Sequence, residues 1–136
     1  RALQAHLDYP LATTQPEFSI LNQDPISDGT LDWCSETGAT ALAWSPLARG
    51  KLGSPLRGSE QLDRVEQAMA RLIESHKATR SQIALAFTMH HGANVIPIIG
   101  TQTLARIEEA AAAAHINLSA RDVYDLIEAY RGVPMP

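Results

Sequence analysis

A single cysteine stands in the 136-residue chain. Cys34 has no intrachain partner, so a disulfide framework is excluded and a reducing cytoplasm is the default compartment. Cations are also scarce, with 11 Lys and Arg against 15 Asp and Glu. Without a basic stripe, nucleic acid is disfavoured as a bulk partner. No apolar run approaches the roughly 20 residues that a membrane-crossing helix needs, and no secretory leader is expected, so no membrane partner follows. Gly and Pro are too few for a disordered chain. Neither G-x-G-x-x-G nor G-x-x-x-x-G-K-[ST] occurs, so two common nucleotide loops are missing. His90 and His91 are adjacent, which on a helix sets them about 100° apart. No Cys or carboxylate stands near them at ligand spacing, and no metal site is expected. No Ser/His/Asp arrangement can be argued from spacing.

What is present is an alternation of short apolar runs and helical patterns. Ala2 to Leu7 reads as the end of a helix that Pro10 breaks. Residues 11–20 read as extended, with pairing expected to stop near Gln15 because Pro16 cannot donate to a ladder. Asp28 is expected to cap a short helix through Glu36, stopped by Gly38. Leu31 and Cys34 fall on one face of it, which makes Cys34 a small core residue rather than a nucleophile. Ala39 to Trp44 is the second strand, and residues 48–58 form a Gly- and Pro-rich loop.

Ser59 caps a helix over about 60–77, whose Leu62, Val65, Met69, Leu72 and Ile73 share a face. Thr79 and Gln82 form a capping box opening a helix to about His91. Val95 to Ile99 is the third strand, apolar on both faces and therefore expected to be buried in a parallel sheet, with Pro97 as a blemish. A helix follows from about Leu104 to His115. Ser119 and Asp122 box the start of the last one, and Gly132 and Pro134 end it.

Helices between successive strands imply parallel strands with helices outside. Three such strands cannot close, so the text fits part of a barrel or part of a doubly wound sheet. Helical text begins at once from Arg1 rather than Met, which suggests a piece of a longer protein. The candidate polar residues cluster just past strand ends: Gln15, then Trp44 to Gly50, then Gly100 to Thr103. Sites lie at that face in barrels and open sheets alike. The stretch Trp44-Ser45-Pro46-Leu47-Ala48-Arg49-Gly50 offers an aromatic plane, a hydroxyl, backbone amides and a cation. Gly100 and Thr101 lead into a helix start, where free amides and the dipole favour an anion, and Arg106 lies in its first turn.

Trp44-Ser-Pro-Leu47 with Arg49-Gly50, then Ile96-Pro-Ile-Ile-Gly-Thr101, then Arg106-Ile-Glu-Glu109 resembles the aldo-keto reductase family. Thr14-Gln15-Pro-Glu17 and the closing Leu118-Ser with its helix fit the same pattern. The resemblance covers essentially the whole chain. It implies an α/β fold, a partial TIM-type (β/α)8 barrel with three parallel strands and outer helices, about strands six to eight plus a terminal helix. Residues 1–136 would then be the C-terminal portion of one NAD(P)-dependent oxidoreductase domain.

The resemblance also implies roles. Gln15 would bond the nicotinamide carboxamide and Trp44 stack on its ring. Ser45, Pro46, Leu47, Arg49 and Gly50 would form the loop around the pyrophosphate. Gly100 and Thr101 would take the phosphate-binding segment, Arg106 the 2′-phosphate of NADP, and Glu109 the neighbourhood of the adenine. Three positions depart from the family: Thr14 and Ala110 each replace an Asn, and Gly100 replaces a Lys that many members carry. NADP is favoured, with NAD possible. The chemistry implied is hydride transfer to an aldehyde or ketone, with a small-molecule carbonyl as substrate. The family's catalytic Tyr, Lys, Asp and His belong to the N-terminal half, and Tyr9, Tyr124 and Tyr130 do not match that Tyr. The chain would supply the cofactor side and no catalytic group, its partner being the missing N-terminal half. A non-catalytic NADP-binding regulatory subunit and an inactive truncated product are the alternatives.

Overall fold

The computed structural model of the chain describes residues 2–135. Three short strands, β1 (Thr13–Thr14), β2 (Thr40–Ala43) and β3 (Val95–Pro97), form one parallel sheet in the order β1-β2-β3. Thr14 pairs with Ala41 on one side of β2, and Ala41, Leu42 and Ala43 pair with Val95, Ile96 and Pro97 on the other. Between strands run α1 (Asp24–Ser27) and α2 (Thr30–Thr37), then α3 (Glu60–His76) and α4 (Arg80–Met89). After β3 come α5 (Leu104–Ala112) and α6 (Ala120–Arg131).

The expected caps form. Ser59 accepts from the Leu62 amide, and Thr79 and Ser119 each complete a reciprocal capping box, with Gln82 and Asp122. The Gly38 amide closes α2 on the Cys34 carbonyl. The Asp28 cap is displaced by one residue: Gly29 is the N-cap of α2, and Asp28 Oδ1 instead accepts from the Thr30 amide at 2.8 Å. Helix α1 is an addition that the pattern did not suggest, started by Pro25 in its first turn. The N-terminal segment holds only a 3₁₀ turn at Gln4–His6.

Regular pairing of β1 ends at Thr14, next to Gln15 as expected, and one isolated bridge follows between Glu17 and Trp44, where the Pro16 carbonyl accepts from the Trp44 amide at 3.0 Å. Pro97 stays in register because the neighbouring Ile98 amide is the one aimed at β2, bonding the Ala43 carbonyl at 2.8 Å. Its missing N–H therefore falls on the open edge of β3, where no donor is needed. The third strand is not buried on both faces as expected: Val95 is buried, but Ile96 on the opposite face is 50% exposed.

The core lies between the sheet and the helices. Ala41 and Ala43 are small enough for helices to approach β2 closely, and both are fully buried. The rings of Phe18 and Phe87 pack at 5.7 Å between centroids, beside Leu31, Leu52 and Met69. Cys34 belongs to this core, and burial raises its thiol pKa, which disfavours the nucleophilic thiolate. Helix α6 docks on α3, and its Leu126 and Ile127 are buried. Gln61 Nε2 and Arg64 Nε on α3 donate to the Tyr130 and Ala129 carbonyls, which satisfies acceptors at the end of α6.

Candidate functional site

The C-terminal ends of β2 and β3 open onto a cleft of about 940 Å³. One wall is the chain leaving β2. It carries an unusual concentration of left-handed backbone: Ser45 (φ 53°), Ala48 (φ 49°) and Arg49 (φ 56°), followed by Gly50 (φ 87°). Three consecutive-turn residues with a Cβ in that region store strain, which tends to concentrate where a loop has a task. The strain is held by the loop's own bonds. Ser45 Oγ accepts from the Arg49 amide at 2.9 Å, and the Ala48 amide donates to the Ser45 carbonyl at 2.8 Å. The amides of Gly50, Lys51, Leu52 and Gly53 are likewise engaged inside the loop. The run of backbone donors expected here is thus turned inward from residue 48 onward, and the cation and hydroxyls carry the loop's polarity.

The facing wall is the segment from Ile98 to Ala110. Thr101 Oγ1 accepts from the Thr103 amide at 3.2 Å and shapes the approach to α5. Thr103 makes no side-chain cap, so the first amides of α5 keep the unsatisfied donors typical of a helix start. Arg106 projects from this turn, exposed and without a carboxylate partner among the described residues. Arg49, on the other wall, also lacks one; its guanidinium lies 6.0 Å from the Trp44 ring centroid instead. Two unneutralised arginines and a helix N-terminus around one cleft suit an anion. Glu109 is the opposing charge. Its carboxylate accepts from the Thr79 hydroxyl and its backbone carbonyl from Gln82 Nε2 at 3.3 Å, so α4 anchors it.

Of the expected residues, Ser45, Pro46, Leu47, Arg49, Gly50, Gly100, Thr101, Arg106 and Glu109 all line this cleft. Gln15 and Trp44 do not. They flank it on the β1 side, brought together because the Trp44 amide bonds the carbonyl of Pro16, the residue after Gln15. Ser81 and Leu85 of α4 also line the cleft and were not anticipated. The signal was available: a helix that runs into a parallel strand starts at that strand's C-terminal end, so the α4 capping box had to open at the site. A second hollow, about 500 Å³, is walled by Asp28 and Asp32 beside Thr14, and its carboxylates suit no phosphate. His91 Nδ1 accepts from the Ala93 amide at 3.1 Å, and burial lowers its pKa toward the neutral ring. Among the described residues, no helix is long and apolar enough to cross a membrane.

The model of the aldo/keto reductase family matches residues 1–131. A 6-dehydroglucose reductase of Novosphingobium aromaticivorans is 38% identical over 135 residues, covering 99% of this chain and 44% of that protein. A second 6-dehydroglucose reductase, of Agrobacterium fabrum, is 30% identical and aligns with 91% of this chain and 40% of its own. Among solved structures, a thermostable aldo-keto reductase in complex with the inhibitor epalrestat superposes with a TM-score of 0.77 at 27% identity. It covers 92% of this chain and 42% of its own. The chain thus spans less than half the length of these relatives.

Proposed function

Because the chain belongs to the aldo/keto reductase family, we propose that residues 1–136 form the C-terminal, NADP(H)-binding portion of a (β/α)8-barrel oxidoreductase that reduces aldehydes or ketones to alcohols. The observation that carries this reading is the cleft, where the strained Ser45–Gly50 loop faces the α5 N-terminus and Arg106. A dinucleotide has two anionic centres, a bridging pyrophosphate and, in NADP, a 2′-phosphate. The Ser45 hydroxyl and Arg49 serve the first, and Arg106 with the Gly100–Thr101 turn serves the second. Gln15 and Trp44, at the β1 side, present a carboxamide and an aromatic face suited to the nicotinamide. Glu109, held by Thr79, would accept from the adenine's exocyclic amine. The cofactor, when bound, supplies the hydride.

The described tyrosines do not offer a proton donor at the cleft: neither Tyr9, Tyr124 nor Tyr130 lines it. We infer from the family resemblance alone that protonation of the nascent alkoxide rests with groups outside this chain. The relatives' name makes a dehydro-sugar the first carbonyl to try. The cytoplasm, with its reducing conditions, suits the lone thiol of Cys34.

The test is a titration of the protein with NADPH and NADH. NADPH should bind at least ten-fold more tightly, and Arg106→Ala should remove most of that preference, a loss of roughly 1.5–3 kcal/mol for a hydrogen bond to a charged group. A variant that keeps the parent's preference for NADPH would sink the role of Arg106. Tight NADPH binding without turnover of any carbonyl, when the missing barrel portion is present, would favour a non-catalytic regulatory subunit.

A further inference from the structure

The turn that opens α4 touches both walls of the cleft, and one of these contacts lies outside helix capping. Arg80 donates from Nη1 to Glu66 Oε1 at 2.8 Å and from Nη2 to Glu66 Oε2 at 2.7 Å. Its Nε reaches the Leu52 carbonyl at 3.4 Å, while Glu66 Oε2 also accepts from the Leu56 amide at 2.8 Å. One forked ion pair thereby grips both ends of the 52–56 segment, whose Gly53 and Ser54 line the cleft. On either side of Arg80 the same turn holds the other wall, through the bonds of Thr79 and Gln82 to Glu109. An arginine at the first position of a helix opposes the helix dipole, so helix stability does not explain its place. The guanidinium beside Glu66 holds that carboxyl below its usual range, so the pair is charged at neutral pH. Both side chains are largely shielded, at 18% and 26% exposure.

We propose that Glu66 and Arg80 are positioning residues for the cleft: their pair fixes the 52–56 segment to the α4 turn and so sets the distance between the loop wall and the α5 wall. The proposal deepens the NADP(H) reading and rests on it. Neither residue lines the cleft, so both act through the loop. A strained loop gains from such a clamp, because a site held in its binding geometry loses less ordering free energy when the ligand arrives.

The experiment measures NADPH affinity together with amide hydrogen exchange in residues 47–56, on the unsubstituted protein and on Glu66→Ala, Glu66→Gln, Arg80→Lys and Leu72→Ala. Glu66→Ala should weaken NADPH binding about ten-fold and speed exchange in 52–56. Arg80→Lys keeps the charge without the fork and should weaken binding several-fold. Glu66→Gln keeps an acceptor and should stay within roughly three-fold. Leu72→Ala destabilises the same helix from a buried position outside the cleft and should leave affinity unchanged. If Glu66→Ala binds as tightly as the parent, or if Leu72→Ala weakens binding equally, the clamp is overturned while the cofactor reading stands. If the parent itself does not bind NADPH, the cofactor reading fails, and exchange decides alone: unaltered exchange of 52–56 in Glu66→Ala overturns the clamp. Should Glu66→Ala not fold, Arg80→Lys and Glu66→Gln carry the comparison, and equal affinities of both with the parent overturn it.

Discussion

At residue 48 an alanine occupies a left-handed conformation two positions before a glycine that occupies one at no steric cost. The two positions should answer oppositely to exchange. Gly50→Ala meets no atom within 4 Å, so its penalty is conformational alone, on the order of 1 kcal/mol. Ala48→Gly removes strain in the folded loop but loosens the unfolded chain, and the two effects leave a change between about 0 and 1 kcal/mol in favour of folding. Urea denaturation of the two variants checks this, and a destabilised Ala48→Gly would show that the loop is not strained there. This is also where the sequence was least readable. Ser45, Ala48 and Arg49 carry no mark of positive φ, since that conformation is imposed by bonds such as Arg49 amide to Ser45 Oγ. The inward turn of the loop amides followed from it and was missed for the same reason. Ser45, Arg49, Gly100 and Arg106, by contrast, were legible by type and by position past strand ends, because parallel α/β topology gathers such residues at one face, whereas Glu109 by itself read as a solvated carboxylate and came in only with the family resemblance.

Helices were legible wherever a cap and an apolar stripe coincided. Ser59, Thr79 and Ser119 each begin a helix where a hydroxyl stands three residues before its amide partner. Helix α1 escaped because four residues are too few for a period, and only Asp24-Pro25 marked it. The contact between α3 and α6 was not readable at all, since it rests on pairs distant in sequence. His76 Nε2 lies 3.1 Å from Asp122 Oδ2, and the Ser119 amide donates to the same oxygen at 2.8 Å. Burial pushes the Asp122 carboxyl up, but the Ser119 bonds and His76 outweigh it and the net shift is downward.

Glu66 is also shifted downward, chiefly by Arg80. A carboxylate with a lowered folded-state pKa contributes stability that is fully present above its unfolded value, about 4, and is lost as pH falls through the folded one. Stability should therefore hold from neutral pH to about 5 and decline below about 4. Asp122→Asn and Glu66→Gln together should flatten that decline, which unfolding curves across pH 2–7 would show; an unchanged acid limb would mean these carboxylates do not set it. Gly132 gives a sharper check on the α3–α6 contact. A Cβ there would come within 2.7 Å of Arg64 Nη2 at a φ of 75°. Gly132→Ala should cost roughly 1–2 kcal/mol, and Arg64→Ala should recover the steric part of it.

Across the whole molecule, the helices cover one face of the sheet and leave the other open. A parallel sheet is ordinarily covered on both faces. Here Ile96 is half exposed on the uncovered face, with Ile98 and Ile99 beyond it toward the cleft. β1 and β3 each have one neighbouring strand among the described residues, so two ladder edges are also unpaired. Fully burying an isoleucine is worth about 1.5–3 kcal/mol, so the open half of Ile96 alone favours association by roughly 1 kcal/mol. Unpaired parallel edges add backbone donors and acceptors that another chain can take up. The 136-residue chain, expressed by itself, should therefore associate at micromolar concentration and bind a hydrophobic dye. Ile96→Thr keeps the β-branch that suits the strand while lowering the apolar exposure. It should reduce dye binding and shift sedimentation toward the monomer, with a change in folding stability of about 1 kcal/mol or less because only half of Ile96 is buried. If the chain instead unfolds cooperatively as a monomer at every concentration, with Ile96→Thr indistinguishable from it, then the open face is not a sticky one. The polar atoms of the strand edges would then have to be satisfied by water alone.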